Sequence, residues 1–306
     1  MRSADFGMRN FQELRRRVLS GLMIVGVLLG GCSTEPAKMT GPVFAIVKDD
    51  LGRSVKLPGK VERVVSLAPS LTESIFAVGA GGRLVGVTTY CNYPDAANAK
   101  EKVGDTQTPN VERIVALKPD VVFVSTASQL EAFMQTLEHQ NIAVYVMDAK
   151  TIAEAIDDLR TLGKLLGVEN SAESLAISLE ERVRKIESHE GPEAGQRVFI
   201  QISNEPLFTI GKDSFLTELI QKAGGSSVTA DVPSAYPKLS KETASAMNPN
   251  VIILSDSEDN REPNAALKNS VAVRTGRVYR INADIISRPG PRLVDAIEQI
   301  AEFLRK

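Results

Sequence analysis

The same short pattern is written twice in this chain, 130 positions apart. NVERIVALKPDVVFVS begins at Asn110 and SKETASAMNPNVIILS begins at Ser240. Glu112 aligns with Glu242, Ala116 with Ala246, Pro119 with Pro249, Val121 with Val251 and Ser125 with Ser255. A second echo occurs in the same order: Leu71-Thr72-Glu73-x-Ile75-x-x-x-Gly79 matches Leu216-Thr217-Glu218-x-Ile220-x-x-x-Gly224. Each unit is a helix start followed by, or following, a run of buried-strand residues. A chain that repeats such units in order folds as two like lobes, and a ligand site falls naturally in the cleft between them, near strand carboxyl ends.

The lobes read as α/β. Near-continuous Val/Ile/Phe runs at 63–70, 83–90, 120–125 and 143–148 alternate with helical segments, the signature of a parallel sheet covered on both faces. Ser70 is a candidate N-cap and Gly79 a stop for the helix at 70–82. The stretch 44–59 reads as a hairpin turning at 50–52. Runs at 197–203, 206–211, 251–255 and 277–281 restart the pattern after the middle of the chain, and an amphipathic helix ends it, apolar at Leu293, Ile297, Ile300 and Leu304.

Between 151 and 192 there is no strand signal. A helix ends at Gly167, and a second begins at Ser171 with Leu175, Ile177, Leu179 and Val183 expected on one face. The expected organisation is a signal at 1–31, a tether at 32–43, one α/β lobe at 44–150, a helical spacer at 151–192 and a second α/β lobe at 193–306.

The first residues read as a processing signal. Arg9, Arg15, Arg16 and Arg17 precede an apolar run of 14 residues, 18–31, too short for a membrane span of about 20. The run ends in LGGC at Cys32, resembling a bacterial lipobox, where cleavage exposes a cysteine that carries lipid. Cys32 is the expected lipidation site, 33–42 is a polar tether, and several acyl chains make such anchoring stable. A periplasmic, membrane-anchored location follows, with Ser33 after Cys32 compatible with outer-membrane sorting.

Composition excludes several functions. The formal net charge is −2; the first 31 residues hold five Arg and two acids, so the rest carries about −5, with no electrostatic footprint for nucleic acid. Cys91 is the one other cysteine, leaving no internal disulfide. With only His139 and His189, both at helix ends, no metal site is expected. There is no phosphate loop, no GxSxG elbow and no nucleophile–base pair, so no enzyme is expected.

Asn110 and Ser240 are good N-caps, which puts Glu112 and Glu242 two residues into their helices. A first-turn acid complements the helix dipole by about 0.3–1 kcal/mol. The functional reading is one exposed carboxylate per lobe on the same rim, a matched pair for a partner with two matched positive points.

With RVVSLAPSLTESIFAVG, GVTTYCNYP, ERIVALKPDVV, LIQKAGG and SRPGPRL in this order, residues from about 44 onward resemble the class III substrate-binding proteins of ABC importers, those for cobalamin, ferric siderophores and haem, and are most similar to the cobalamin-binding members. The resemblance implies two Rossmann-like lobes bridged by one rigid helix, assigned to about 171–189. It implies a monomer that delivers a corrinoid to a permease dimer with separate ATPase subunits, with a ferric siderophore or haem as the alternative cargo. It places Glu112 and Glu242 at the positions that pair with permease arginines. Cobalamin-binding relatives grip the corrin between aromatics, tryptophan among them, and this chain has no Trp. Tyr90 matches a family aromatic in the first lobe, Tyr236 stands where a relative has Trp, and Asp284, Ser287 and Arg288 fall in the segment that reaches the corrin amides. Arg288 is the one cleft arginine expected. Tyr93 is expected to pack, Arg292 to face solvent at a helix start, and Cys91 to be a small buried residue, with a metal-ligand role as its alternative.

Overall fold

A computed structural model describes residues 44–125, 131–188 and 195–306. The signal, Cys32 and the tether lie outside the described residues, as does His189.

The chain opens with an antiparallel hairpin, β1 (Phe44–Lys48) and β2 (Ser54–Pro58). The Asp49 carboxylate accepts from the Arg53 backbone N–H at 2.9 Å and from the Arg53 side chain at 2.7 Å, closing the expected turn. Then follow β3 (Val64–Ser66), α1 (Pro69–Ala77), β4 (Leu84–Val87), β5 (Glu101–Lys102), α2 (Val111–Ala116), β6 (Val121–Val124), α3 (Glu131–His139) and β7 (Ala143–Val146). The sheet order is β5-β4-β3-β6-β7, and every pair is parallel. Strand order reverses between β3 and β6, so the carboxyl ends of those two strands open a crevice.

Two helices follow, α4 (Ile152–Leu166) and α5 (Glu169–Ser188). The second lobe contains β8 (Gln196–Ser203), β9 (Phe208–Thr209), α6 (Phe215–Lys222), β10 (Gly225–Ser227), α7 (Lys241–Met247), β11 (Val251–Asp256), α8 (Val271–Arg274), β12 (Val278–Asn282), α9 (Ala283–Ser287) and α10 (Leu293–Arg305). Its sheet runs β10-β8-β11-β12 in parallel, and β9 adds an antiparallel strand to β8. The reversal now lies between β8 and β11. The two lobes share the doubly wound plan that the echoes predict.

α4 is defined at both ends by its own sequence. The Thr151 hydroxyl accepts from the Glu154 backbone N–H at 3.1 Å, and the Glu154 carboxylate accepts from the Thr151 N–H at 3.1 Å, a reciprocal cap that satisfies two otherwise orphaned donors. Gly167 ends the helix at φ +59°, a backbone conformation that costs glycine nothing. Gly163 lets α5 approach closely: a Cβ there would stand 2.4 Å from the Ala172 Cβ.

Two expectations are corrected. Ser70 is not the N-cap of α1; Ala68 is, with Pro69 at the first helical position, where its missing N–H costs no hydrogen bond. On α5 the buried face is Ala172, Ala176, Leu179 and Val183, while Ile177 is exposed. Ile177 lies two residues from Leu179 and so roughly 200° around the helix from it. In the spacer, α4 packs on α1 and on α6, while α5 packs mainly on α4, α6 and α10 and brings Ser171 beside Gly79 at the end of α1. Ion pairs reinforce that placement, with Arg182 on Asp295 and Glu298 at 2.5 and 2.7 Å and Lys222 on Glu187 at 2.6 Å.

One hydrophobic core runs without a break from α1 and β3 through α4 and α5 into α6, β8 and α10. The last helix buries Leu293, Ile297, Ile300 and Leu304 in it, as its period predicts. Two smaller clusters cover the outer sheet faces.

Candidate functional site

A cleft of about 640 Å³ lies between the lobes, within the range of small-molecule sites. The first lobe supplies the turn from β3 into α1 (Ala68 to Leu71), Tyr90, Ser125 after β6, and the segment Met147 to Lys150 after β7. The second lobe supplies Asp213 to Phe215 before α6, Ala235 and Tyr236, and Asp284 to Pro289 around α9. Asp158, on α4, completes the lining. The walls come from strand carboxyl ends because both sheets reverse there.

The five residues assigned to a ligand, Tyr90, Tyr236, Asp284, Ser287 and Arg288, are brought together on this one cleft. Tyr90 and Tyr236 are 60% and 42% exposed, one from each lobe, which leaves apolar ring area free to cover a flat ligand. Desolvation raises the Tyr236 phenol above its ordinary pKa, and a hydrogen bond with the Ser214 side chain opposes that rise.

Arg288 lines the cleft with its side chain already engaged. Its guanidinium is nearly buried and donates to Glu73 Oε1 at 2.7 Å and to Asn92 Oδ1 at 2.8 Å. It also pairs with Asp284 at 2.7 Å. Asn92 Nδ2 in turn donates to Asp284 at 3.0 Å. Arg292 does not face solvent: its Nε and Nη2 donate to the two Glu73 oxygens at 2.7 and 2.6 Å. Its guanidinium lies 4.0 Å from the centre of the Tyr93 ring. Glu73, 3% exposed, is therefore the centre of a clasp that joins α1 of one lobe to the α9–α10 corner of the other. A buried carboxylate needs this much compensation.

The repeated Leu-Thr-Glu motif is what carried the clasp in the sequence. Thr72 Oγ1 donates to Ser66 Oγ at 2.8 Å, and Thr217 Oγ1 donates to the Gly211 carbonyl at 2.8 Å, so each threonine ties its helix start back to the preceding strand or loop. Glu218, the partner of Glu73, accepts from the Ile152 backbone N–H at 3.1 Å. Each motif glutamate thus reaches out of its own helix. Glu73 grips the opposite lobe, and Glu218 satisfies the first turn of α4.

Cys91 is buried, with its sulfur 3.1 Å from both the Thr72 and Thr88 hydroxyls, and it does not line the cleft. Among the described residues no group of three His, Cys, Asp or Glu could hold a metal ion. His139 ends α3 and is exposed.

Glu112 and Glu242 stand on the surface, away from the cleft lining. Both sit at the second position of short helices, α2 and α7, each preceding the strand at its lobe's reversal. Asn110 Oδ1 accepts from the Arg113 N–H at 2.9 Å and Ser240 Oγ from the Thr243 N–H at 3.0 Å, as the N-cap reading predicts. The Glu242 carboxyl is held below its ordinary pKa by its own backbone N–H and by the Ser240 side chain.

The family described as periplasmic binding protein matches residues 64–285. The chain belongs to that family, as a substrate-binding protein of the ABC transporter class. It is 30% identical, over 95% of its length and 97% of the relative's, to the "Uncharacterized ABC transporter substrate-binding lipoprotein YvrC" of Bacillus subtilis (strain 168). The crystal structure of the periplasmic vitamin B12 binding protein BtuF of Vibrio cholerae matches with a TM-score of 0.69 at 30% identity, covering 80% of this chain and 96% of that one. A periplasmic heme binding protein from Pseudomonas aeruginosa matches with a TM-score of 0.72 at 23% identity, covering 80% and 93%, and shares the fold. No helix among the described residues is long and apolar enough to cross a membrane.

Proposed function

We propose that this protein captures a corrinoid in the interlobe cleft and delivers it, as a monomer, to a permease dimer served by separate ATPase subunits. The observation that supports this cargo best is the charge balance of the cleft. Four carboxylates line it, Asp148, Asp158, Asp213 and Asp284, against two cations, Lys150 and Arg288. Both cations are already paired, Lys150 with Asp148 at 2.6 Å and Arg288 with Glu73 at 2.7 Å. The segment 126–130, outside the described residues, contributes no Lys or Arg to the sequence. An anionic catecholate or carboxylate siderophore, or the propionates of haem, would meet uncompensated negative charge. A corrinoid is neutral overall in its cyano form and edged with amides. It needs apolar faces and hydrogen-bonding groups, which Tyr90, Tyr236, Ser287 and the carboxylates supply. The vitamin B12-binding relative at 30% identity supports the same reading.

Delivery rests on Glu112 and Glu242, one surface carboxylate on the matching helix of each lobe, meeting two basic points on the permease copies. Lipid on Cys32 would hold the protein at a membrane outside the cytoplasm, and the related lipoprotein of Bacillus subtilis supports that anchor.

Calorimetric titration of the full chain in detergent tests the cargo. Stoichiometric binding of cyanocobalamin, with haem and a ferric catecholate siderophore much weaker, is the expected result. Haem or siderophore binding without cyanocobalamin binding would keep the transport class and overturn the cargo.

A further inference from the structure

Of the acids that line the cleft, Asp158 and the exposed Asp213 have no hydrogen-bond or ion-pair partner among the described residues, and Asp158 is the more buried of the two. It sits on the second turn of α4, the helix that spans the two lobes, and lines the cleft between the walls carrying Tyr90 and Tyr236. Among the described residues no hydrogen bond or salt bridge reaches its carboxyl, although the side chain is largely withdrawn from water. The acids packed around it have partners of their own. Asp50 comes from the β1–β2 turn and accepts from the Asp148 N–H at 2.6 Å. Asp148 and Lys150, after β7, pair with each other at 2.6 Å. Glu154 closes the cap of α4, and Asp157 pairs with Arg160 at 2.8 Å. From β7, the Tyr145 hydroxyl donates to the Lys48 carbonyl at 2.8 Å. The charges of α5 nearest this turn, Glu173 and Glu180, are taken by Arg160, and Glu218 of α6 is taken by the Ile152 N–H. The charges that act most strongly on Asp158 are thus acids, and its side chain lines the cleft.

We infer that Asp158 is a specificity-determining ligand contact: as a neutral carboxylic acid it donates its hydroxyl hydrogen to a carbonyl of an amide-bearing ligand, so that capture takes up a proton from solvent. This rests on the proposed corrinoid cargo and adds the chemistry by which the cleft floor reads it. A ligand that displaces water from the cleft removes the last solvation of the carboxylate and favours its uncharged form. An uncharged acid offers a donor that a carboxylate lacks, and an amide edge supplies the acceptor. Burial, and then the surrounding acids, already push this carboxyl up to about 7 before any ligand arrives. The same arrangement discriminates against anionic cargo, because an ionised group placed there would oppose the acids around Asp158.

The test is calorimetry of the full chain in detergent with cyanocobalamin as probe, from pH 6 to 8.5, repeated at pH 7 in buffers of different ionisation enthalpy. Affinity should fall about thirtyfold across that range, with about half a proton taken up per ligand at pH 7. Asp158→Asn, which keeps a donor that does not titrate, should flatten the profile. Binding with a flat profile and no proton uptake, or affinity that rises with pH as a cationic contact would require, overturns this inference while leaving the corrinoid cargo intact. An unchanged slope in Asp158→Asn assigns the proton elsewhere and also overturns it. Should Asp158→Asn fail to fold, the proton count of the unaltered chain decides alone. Cyanocobalamin failing to bind at every pH overturns the cargo and this inference together.

Discussion

Glu73 and Arg288 are 215 positions apart in sequence and 2.7 Å apart in the folded chain. Their side chains are 2% and 10% exposed, so the pair joins the two lobes beside the cleft, where water screens it little. Arg292 adds a second guanidinium on the same carboxylate.

Removing the carboxylate leaves Arg292 without a counter-charge, beside an Arg288 that keeps only Asp284. Glu73→Ala should cost about 3–5 kcal/mol, read as a lower urea midpoint. Replacing Glu73, Arg288 and Arg292 together by Leu, Met and Leu should recover most of that loss, because it leaves no buried charge unpaired; Asp284, which loses Arg288, is partly exposed and keeps its hydrogen bond from Asn92. A triple variant no more stable than Glu73→Ala would show that the clasp is net stabilising.

Tyr90 and Tyr236 offer one aromatic face from each lobe. Tyr90→Ala and Tyr236→Ala should each weaken cyanocobalamin binding about tenfold, the loss of one stacked ring. Equal affinity in both variants, measured by calorimetry, would remove the stacking role.

Glu112→Ala with Glu242→Ala should leave cyanocobalamin affinity unchanged and weaken binding to permease in detergent or nanodiscs. Each substitution also removes a first-turn acid that complements its helix dipole. Loss of cargo affinity in the double variant would argue against docking.

Asp158 gives stability a pH dependence of defined sign. Its carboxyl is pushed up to about 7, against an ordinary value of 3.8. Between those values the unfolded chain loses its proton first, so stability falls as pH rises through that window and stays lowered above it. Asp158→Asn removes the penalty. Its melting temperature should exceed that of the parent at pH 8 by several degrees, at about 2–4 °C per kcal/mol, and match it near pH 4. A constant gain across pH would contradict the assignment.

The core that runs through α4 and α5 into both lobes limits their relative motion to a small hinge. Scattering profiles with and without cyanocobalamin should differ little in radius of gyration; a large contraction on binding would exclude a rigid spacer.

The sequence alone determined the two-lobe plan, the parallel strands, the caps at Asn110, Ser240 and Gly167, and the apolar face of α10. It did so because each depends on residues within a few positions of one another, where period, propensity and capping chemistry act directly. It also displayed Leu-Thr-Glu twice without giving Glu73 a task. Tertiary structure decided that α4 packs on helices of both lobes, that Arg292 turns inward, and that Arg288 is committed to Glu73 and Asp284. It also decided that Asp158 has no counter-charge. Those outcomes depend on which charges from distant segments are carried into one low-dielectric space, where a carboxylate must find a cation, lose its charge or remain in contact with water. Spacing along the chain does not encode that competition.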